Sequence, residues 1–133
     1  MKGLELLEQN PESAKLICNY YLEIMIESLK DEGLPEDFKE SIREQGIDNE
    51  KIGAILDGNP RNLFDFFDSR KIYVDVRPFT NGSFSYSVIS DMATSGSSEV
   101  YKTRKEADKE AVEEAIRLLE IVLTKSVIDK ENS

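Results

Sequence analysis

The stretch TRKEADKEA, residues 103–111, carries the side chains best suited to contacting an anion. Thr103 and Glu106 have the spacing of a capping box, which predicts that a helix begins here. Arg104 and Lys105 then fall in the first helical turn, where the helix dipole favours acidic residues instead. The free N–H groups of a helix N-terminus readily bind phosphate or carboxylate. This start is therefore a candidate anion contact, with a capped helix end that needs no ligand as the alternative.

Catalytic and metal-binding chemistry has few side chains to draw on. The chain has no histidine, so it lacks an imidazole base and any Ser/His or Cys/His pair. Its one cysteine, Cys18, cannot form an internal disulfide or complete a zinc site and is expected to be a reduced, small apolar residue. The phosphate-binding patterns GxxxxGK[ST] and GxGxxG do not occur. We expect a protein that is not an enzyme and uses no cofactor and no metal, although the sequence leaves open whether Asp65, Asp68 and Asp75 converge.

Positive charge is concentrated in one part of an otherwise acidic chain. The 133 residues include 27 Asp and Glu against 17 Lys and Arg, a net charge of −10, yet residues 60–105 contain seven basic and five acidic residues. Four cations of this region are the candidate contact to an anion or a nucleic acid: Arg77, Lys102, Arg104 and Lys105. The alternative, which the charge balance favours, is that they pair with the acidic helices packed around them.

The first 69 residues show helical spacing of their apolar residues. Capping residues, Asn-Pro pairs and glycines mark the helix ends. They predict helices over residues 3–9, from Pro11 to near Gly33, over 35–45 and 48–58, and a short helix after Asn59-Pro60 that carries Leu63, Phe64, Phe66 and Phe67.

The period changes to two after Arg70, which predicts strands. Ile72, Val74 and Val76 alternate with polar residues, and a second alternating run follows a hairpin turn at residues 80–83. After a loop over residues 93–98, a third strand is expected at Glu99–Lys102. The sequence thus predicts an α+β fold in one domain, 1–133: a helical part (1–69), and a part (70–124) with a three-stranded antiparallel sheet and a long C-terminal helix on one face. Residues 125–133 are expected to be a disordered tail.

The last helix is amphipathic over residues 103–124. Nine apolar residues from Ala107 to Leu123 share one arc of 180°, which predicts that this face lies on the sheet. The opposite arc holds residues expected to face solvent: Lys109, Glu110, Glu113, Glu114, Arg117 and Glu120.

A helix, three antiparallel strands and a helix beginning TRKEA, over residues 60–120, resemble the double-stranded RNA-binding domain. This resemblance implies that the basic start of the last helix contacts phosphates, through Arg104 and Lys105. The sequence departs from that pattern at Asp108, where the family's motif has a further basic residue, and in the glutamates that follow. The segments NPRNLFDFFDSRKIYVDV and YKTRKEADKEAVEEAIRLLE also resemble small proteins of bacterial phages and mobile elements, which implies an accessory role but no particular activity.

Residues 41–56, SIREQGIDNEKIGAIL, fit the spacing of a helix-turn-helix. Its second helix would present Asp48, Glu50 and Asp57 to DNA with Lys51 as the one cation, which is the wrong charge for a polyanion. A helical hairpin with a tight glycine turn is the preferred interpretation of this segment.

The sequence favours a non-catalytic interaction protein with a protein partner or self-association. Self-association is expected because the apolar stretch Leu118–Val127 and the Phe64, Phe66 and Phe67 cluster exceed the needs of one small core. Binding of RNA or DNA through the basic helix start is the alternative, and an inhibitor that mimics the charge of nucleic acid is the second alternative. No apolar run approaches the ~20 residues of a membrane helix, and the start lacks a signal pattern, so we expect a cytoplasmic protein without membrane contact.

Overall fold

The fold is that of a computed structural model, which describes residues 2–29, 32–33, 35–91, 94–96 and 100–131, with side chains through residue 125. The described part of the chain is α+β, as the sequence predicts. Its elements in chain order are α1 (Gly3–Gln9), α2 (Pro11–Ser28), α3 (Glu36–Gln45), α4 (Asn49–Gly58), a 3₁₀ turn (Pro60–Leu63), α5 (Phe64–Ser69), β1 (Tyr73–Pro78), β2 (Phe84–Ile89), β3 (Thr94–Gly96) and α6 (Arg104–Glu131).

The helix boundaries of the first half follow from capping residues. Pro11 is the first residue of α2, and the Asn10 side chain before it donates to the Leu6 carbonyl at 2.8 Å, so it closes the end of α1. Asp48 accepts a hydrogen bond from the Lys51 N–H and caps α4. These local signals explain why most predicted helix ends agree with the structure to within a residue or two.

The sheet is a meander with strand order β1-β2-β3, and both pairs are antiparallel. The turn between β1 and β2 closes where the Phe79 N–H donates to the Ser83 carbonyl at 2.8 Å, and Gly82 takes a φ of 85° that suits glycine. Ile72 and Val76 are buried while Tyr73 and Arg77 are exposed, which confirms the predicted alternation.

The third strand does not lie where the sequence analysis placed it. We expected a loop over 93–98 and a strand at Glu99–Lys102; instead β3 comprises Thr94–Gly96, inside the expected loop. Tyr101 makes an isolated bridge to Phe84, and Glu99 lies outside the described residues. Serine and glycine have no strong strand preference, so the pairing with β2 determines the strand and local composition does not reveal it.

Helix α6 crosses one face of the sheet and continues beyond the predicted end. Its backbone is helical to Glu131, so residues 125–131, expected in a disordered tail, form its last turns; Asn132 and Ser133 lie outside the described residues. Small buried residues allow the close approach to the sheet that the sequence predicts: Ala107 and Ala111 pack with Val76.

The polar face of α6 is not simply solvated, contrary to expectation. While β1 and β2 cover one side of this helix, α2, α4 and the 3₁₀ turn contact it elsewhere. Glu113 is only 3% exposed as a result. In the same way Phe66 and Phe67 are fully buried, so they belong to the core of this chain and are no surplus for self-association.

Candidate anion-binding site

One end of the sheet gathers the cations that the sequence singles out. Pro78, at the end of β1, pairs with Phe84, at the start of β2. Phe84 and Tyr101 exchange backbone hydrogen bonds of 2.8 Å, which anchors the chain just before α6. Residues 102, 104 and 105 therefore lie beside the start of β2, and residue 77 lies on β1, across β2 from Tyr101. Val76 packs against α6, so the next side chain of the strand, Arg77, points to the opposite face of the sheet. We call Arg77, Lys102, Arg104 and Lys105 the basic end.

The four side chains of the basic end differ in their partners. The Arg77 guanidinium bonds to the Asp75 carboxylate at 2.6 Å, on the same strand. The Arg104 guanidinium lies 5.1 Å from the centre of the Phe84 ring, a cation–π contact that orients the charge without neutralising it. Among the described side chains, no carboxylate oxygen lies within the 4.0 Å of an ion pair from Lys102, Arg104 or Lys105, and all three are exposed.

The start of α6 has the cap that the sequence predicts. The Glu106 N–H donates to the Thr103 hydroxyl at 3.1 Å, so the chain itself supplies an acceptor for one free donor of the first turn. This cap leaves one fewer backbone N–H of the helix end for an external anion.

Other basic residues of the segment have structural roles. The Arg61 guanidinium makes two hydrogen bonds to the Asp108 carboxylate, of 3.0 and 2.8 Å, and packs 4.7 Å from the centre of the Phe64 ring. Lys109 Nζ lies 3.1 Å from Asp57 Oδ1. The expected pairing of cations with acidic helices thus holds for Arg61, whereas Lys102, Arg104 and Lys105 depart from it.

The departure from the RNA-binding pattern at Asp108 has a structural explanation. This side chain is 5% exposed and binds Arg61, so it ties α6 to the 3₁₀ turn and does not face solvent. A basic residue at this position would place an unpaired cation against Arg61. Asp108 therefore stabilises the fold of this chain.

Aromatic residues support and flank the basic end. Tyr86 and Tyr101 stack with ring centres 6.1 Å apart beside the sheet's bridge to Tyr101. Burial, reinforced by Tyr101, raises the pKa of Tyr86 to about 12, so this phenol stays neutral. Phe79, in the β1–β2 turn, is 48% exposed and was not among the residues that the sequence analysis selected. The only signal for it is an aromatic residue between a strand end and a hairpin turn.

Cys18 and the aspartates Asp65, Asp68 and Asp75 lie on three different elements, α2, α5 and β1. Cys18 donates to the Asn49 side chain at 3.6 Å, and burial together with Asp48 raises the pKa of its thiol, which disfavours the nucleophilic thiolate. Asp65 and Asp68 are exposed on α5, while Asp75 binds Arg77 on β1. Over the described residues, no three Asp, Glu or Cys side chains are grouped so that they could hold a metal ion, and no helix is long and apolar enough to cross a membrane.

Comparison with protein-family models, with curated proteins and with solved structures finds no match to this chain. The resemblances to the double-stranded RNA-binding domain and to phage proteins therefore stay predictions from the residues themselves.

Proposed function

We propose that this chain is a non-catalytic, cytosolic interaction protein whose basic end binds an acidic segment of a partner protein. The observation that supports this is the position of Lys102, Arg104 and Lys105, which lie exposed beside the start of β2 without a carboxylate partner in the described structure, with Arg77 at the same end of the sheet. In a chain with a net charge of −10, cations left unpaired among so many carboxylates favour an external anionic ligand.

The size of the basic end favours an acidic peptide segment over a long duplex. A nucleic acid presents a phosphate about every 1.7 Å of its axis, so it would extend past the basic end toward the acidic helices. Glu106 and Glu110 follow within two turns of α6, and Asp75 lies beside Arg77. A short acidic segment could contact Lys102, Arg104 and Lys105 without reaching the acidic residues further along α6, and arginine side chains are among the usual anchors of protein interfaces.

Binding of double-stranded nucleic acid is the second candidate. It is supported by the order of the elements, a helical segment at 60–69, three antiparallel strands and a long helix, with Arg104 and Lys105 in the first turn of α6. This order is the one that the resemblance to the double-stranded RNA-binding domain requires.

The test is fluorescence anisotropy at low salt with labelled oligoglutamate, duplex RNA, duplex DNA and oligolysine. The double variant Arg104→Glu and Lys105→Glu should lose oligoglutamate binding. Its matched control, Lys15→Glu with Lys125→Glu, changes the net charge equally; Lys125 lies about 30 Å from Arg104 along α6 at roughly 1.5 Å per residue. The control should bind nearly as well as the unmodified chain.

The four probes separate the alternatives. Binding of oligoglutamate alone supports the proposal, whereas salt-sensitive binding of duplex RNA or DNA that the double variant abolishes would establish the second candidate. Preference for oligolysine would instead favour the charge mimic. If no anionic probe binds at low salt, where such contacts are strongest, the basic end has no ligand and the proposal is wrong.

A further inference from the structure

The outer edge of β1 carries backbone groups that the sheet does not use. Residues of an antiparallel strand point their N–H and C=O groups alternately toward and away from the partner strand. The Phe79 N–H donates to Ser83 at the end of the β1–β2 register, so the odd-numbered residues of β1 face β2. Val74 and Val76 must then direct their N–H and C=O groups away from β2.

Three further hydrogen bonds agree with this direction. Phe84 exchanges its backbone bonds with Tyr101, so it faces away from its β1 neighbour Pro78. The Ile72 N–H, which belongs to the outward set, donates to the Phe67 carbonyl at 2.9 Å, so α5 satisfies the first outward donor. Beyond that point the backbone groups of Val74 and Val76 have no partner in the described part of the chain.

An unpaired strand edge can pair with a strand of another chain. If the other strand is β1 of a second copy, several antiparallel alignments are possible, and the residues of β1 determine which of them is acceptable. The arrangement that pairs Val74 with Val76 of a second copy places two Asp75 carboxylates opposite each other. In the arrangement centred on Val74, Val74 of one copy lies opposite Val74 of the other. This pairing requires the Ile72 N–H, which already donates to the Phe67 carbonyl. The arrangement centred on Val76 has neither defect, because it places each Asp75 opposite Arg77 of the other copy.

We propose that a second copy of this chain pairs antiparallel with β1 in the register centred on Val76. The two Val76 residues exchange both backbone hydrogen bonds, and each Val74 N–H donates to the Pro78 carbonyl of the other copy. Pro78 lacks an N–H and cannot return a bond to the Val74 carbonyl of the other copy, so four backbone hydrogen bonds join the two edges. Asp75 and Arg77, which bond to each other at 2.6 Å in one chain, form cross-strand ion pairs in the dimer.

The result is one continuous sheet that joins the three strands of each copy. The contact is small, so we expect a weak dimer that forms over about 10 µM to 1 mM. Of the basic end only Arg77 takes part in the edge pairing, so the inference does not depend on a ligand at Lys102, Arg104 and Lys105.

Charge reversal tests the register. Asp75→Arg alone and Arg77→Asp alone each place like charges across the edge and should weaken association about tenfold or more in sedimentation equilibrium. An equimolar mixture of the two single variants should associate, because one edge is then basic and the other acidic. The double variant with both changes restores the original complementarity and should dimerise as the unmodified chain does.

Amide hydrogen exchange of the unmodified chain provides a readout that needs no variant. The Val74 and Val76 amides should exchange more slowly as the protein concentration rises, whereas the Asp75 and Arg77 amides, bonded to β2, should be protected at every concentration. A chain that stays monomeric up to about 1 mM, or single variants that dimerise as well as the unmodified chain, would overturn the proposal.

Discussion

At the scale of single residues, two carboxylates respond to acid in opposite directions. Burial raises the pKa of Glu113, and Glu110 raises it further. Within the described residues Glu113 Oε1 has no hydrogen-bond partner. For Asp57, partial desolvation acts to raise the pKa, but the hydrogen bonds from Lys109 and the Gly3 N–H outweigh it and lower the pKa. Protonation in acid therefore removes the unfavourable buried charge of Glu113, whereas at Asp57 it removes the favourable interaction with Lys109 and the Gly3 N–H.

We predict that Glu113→Gln raises the free energy of unfolding by about 1 kcal/mol at pH 7, because it removes a charge that burial disfavours. The folded-state pKa of Glu113 lies above its unfolded value, so its protonated form stabilises the fold below about pH 4.3 and this stabilisation is lost as pH rises through the folded pKa. The advantage of the variant should thus vanish in acid. Urea unfolding at several pH values measures it, and an advantage that does not depend on pH would contradict the account.

Replacing Arg61 and replacing Asp108 should lower the free energy of unfolding by different amounts. Arg61→Ala leaves the nearly buried Asp108 without a partner and should cost about 3 kcal/mol. Asp108→Ala leaves Arg61, whose side chain is 45% exposed, able to reach water, and should cost about 1 kcal/mol. Denaturant unfolding of both variants and their double variant measures the difference. Equal costs would show that the carboxylate is better solvated than its burial indicates.

At the scale of elements, the crossing of α1 and α4 depends on two glycines. A Cβ atom on Gly3 would lie 2.5 Å from the Gly53 carbonyl oxygen, and one on Gly53 would lie 2.9 Å from the Leu4 nitrogen. Both contacts are to backbone atoms, which cannot turn aside as a flexible side chain can. The two helices can keep this distance only while both residues lack a side chain.

Gly53→Ala should therefore destabilise the protein by about 2 kcal/mol, since it forces α1 and α4 apart. Gly58→Ala, in the same helix, is the matched control: a Cβ there meets no atom within 4 Å, and alanine should stabilise the helix by about 0.5 kcal/mol. Thermal unfolding of the two variants gives the comparison. The crossing would be looser than the structure shows if both changes were harmless.

At the scale of the whole molecule, one core joins the helical half to the sheet half. The main buried cluster includes Leu6, Ile17 and Leu56 from the first helices together with Val88 and Ile116 from the sheet and α6. Across this junction the Glu120 carboxylate accepts hydrogen bonds from the Ser13 N–H and hydroxyl, at 2.8 and 3.0 Å, and so caps α2 from α6. Polar and apolar contacts both cross between the halves.

We predict that a fragment of residues 59–133 does not fold alone, although it contains the whole sheet and α6. Without the first helices it would expose the apolar residues of the shared core and leave Glu120 without Ser13. Circular dichroism and amide exchange of the fragment test this, with the full chain as the control. A fragment with cooperative unfolding and protected β2 amides would show that the sheet half is independent.

The sequence by itself determined the features that depend on near neighbours. Helix ends follow from caps such as Asp48 and Thr103, and β1 follows from alternating residues and the Asn81-Gly82 turn, because these signals act within a few residues. The four cations of the basic end were also chosen from residue type and position alone. Their response to ligands remains the prediction to be tested.

Only the tertiary structure decided the features that depend on distant partners. The place of β3 depends on β2, and the burial of Asp108 and Glu113 depends on helices that precede them by many residues. An amphipathic pattern identifies the most apolar face of α6, yet it cannot show that a second layer covers part of the polar face. The outer edge of β1, which has no backbone partner beyond Ile72 within the described residues, likewise appears only once the hydrogen-bond directions of the whole sheet are known, because these directions depend on which strands pair.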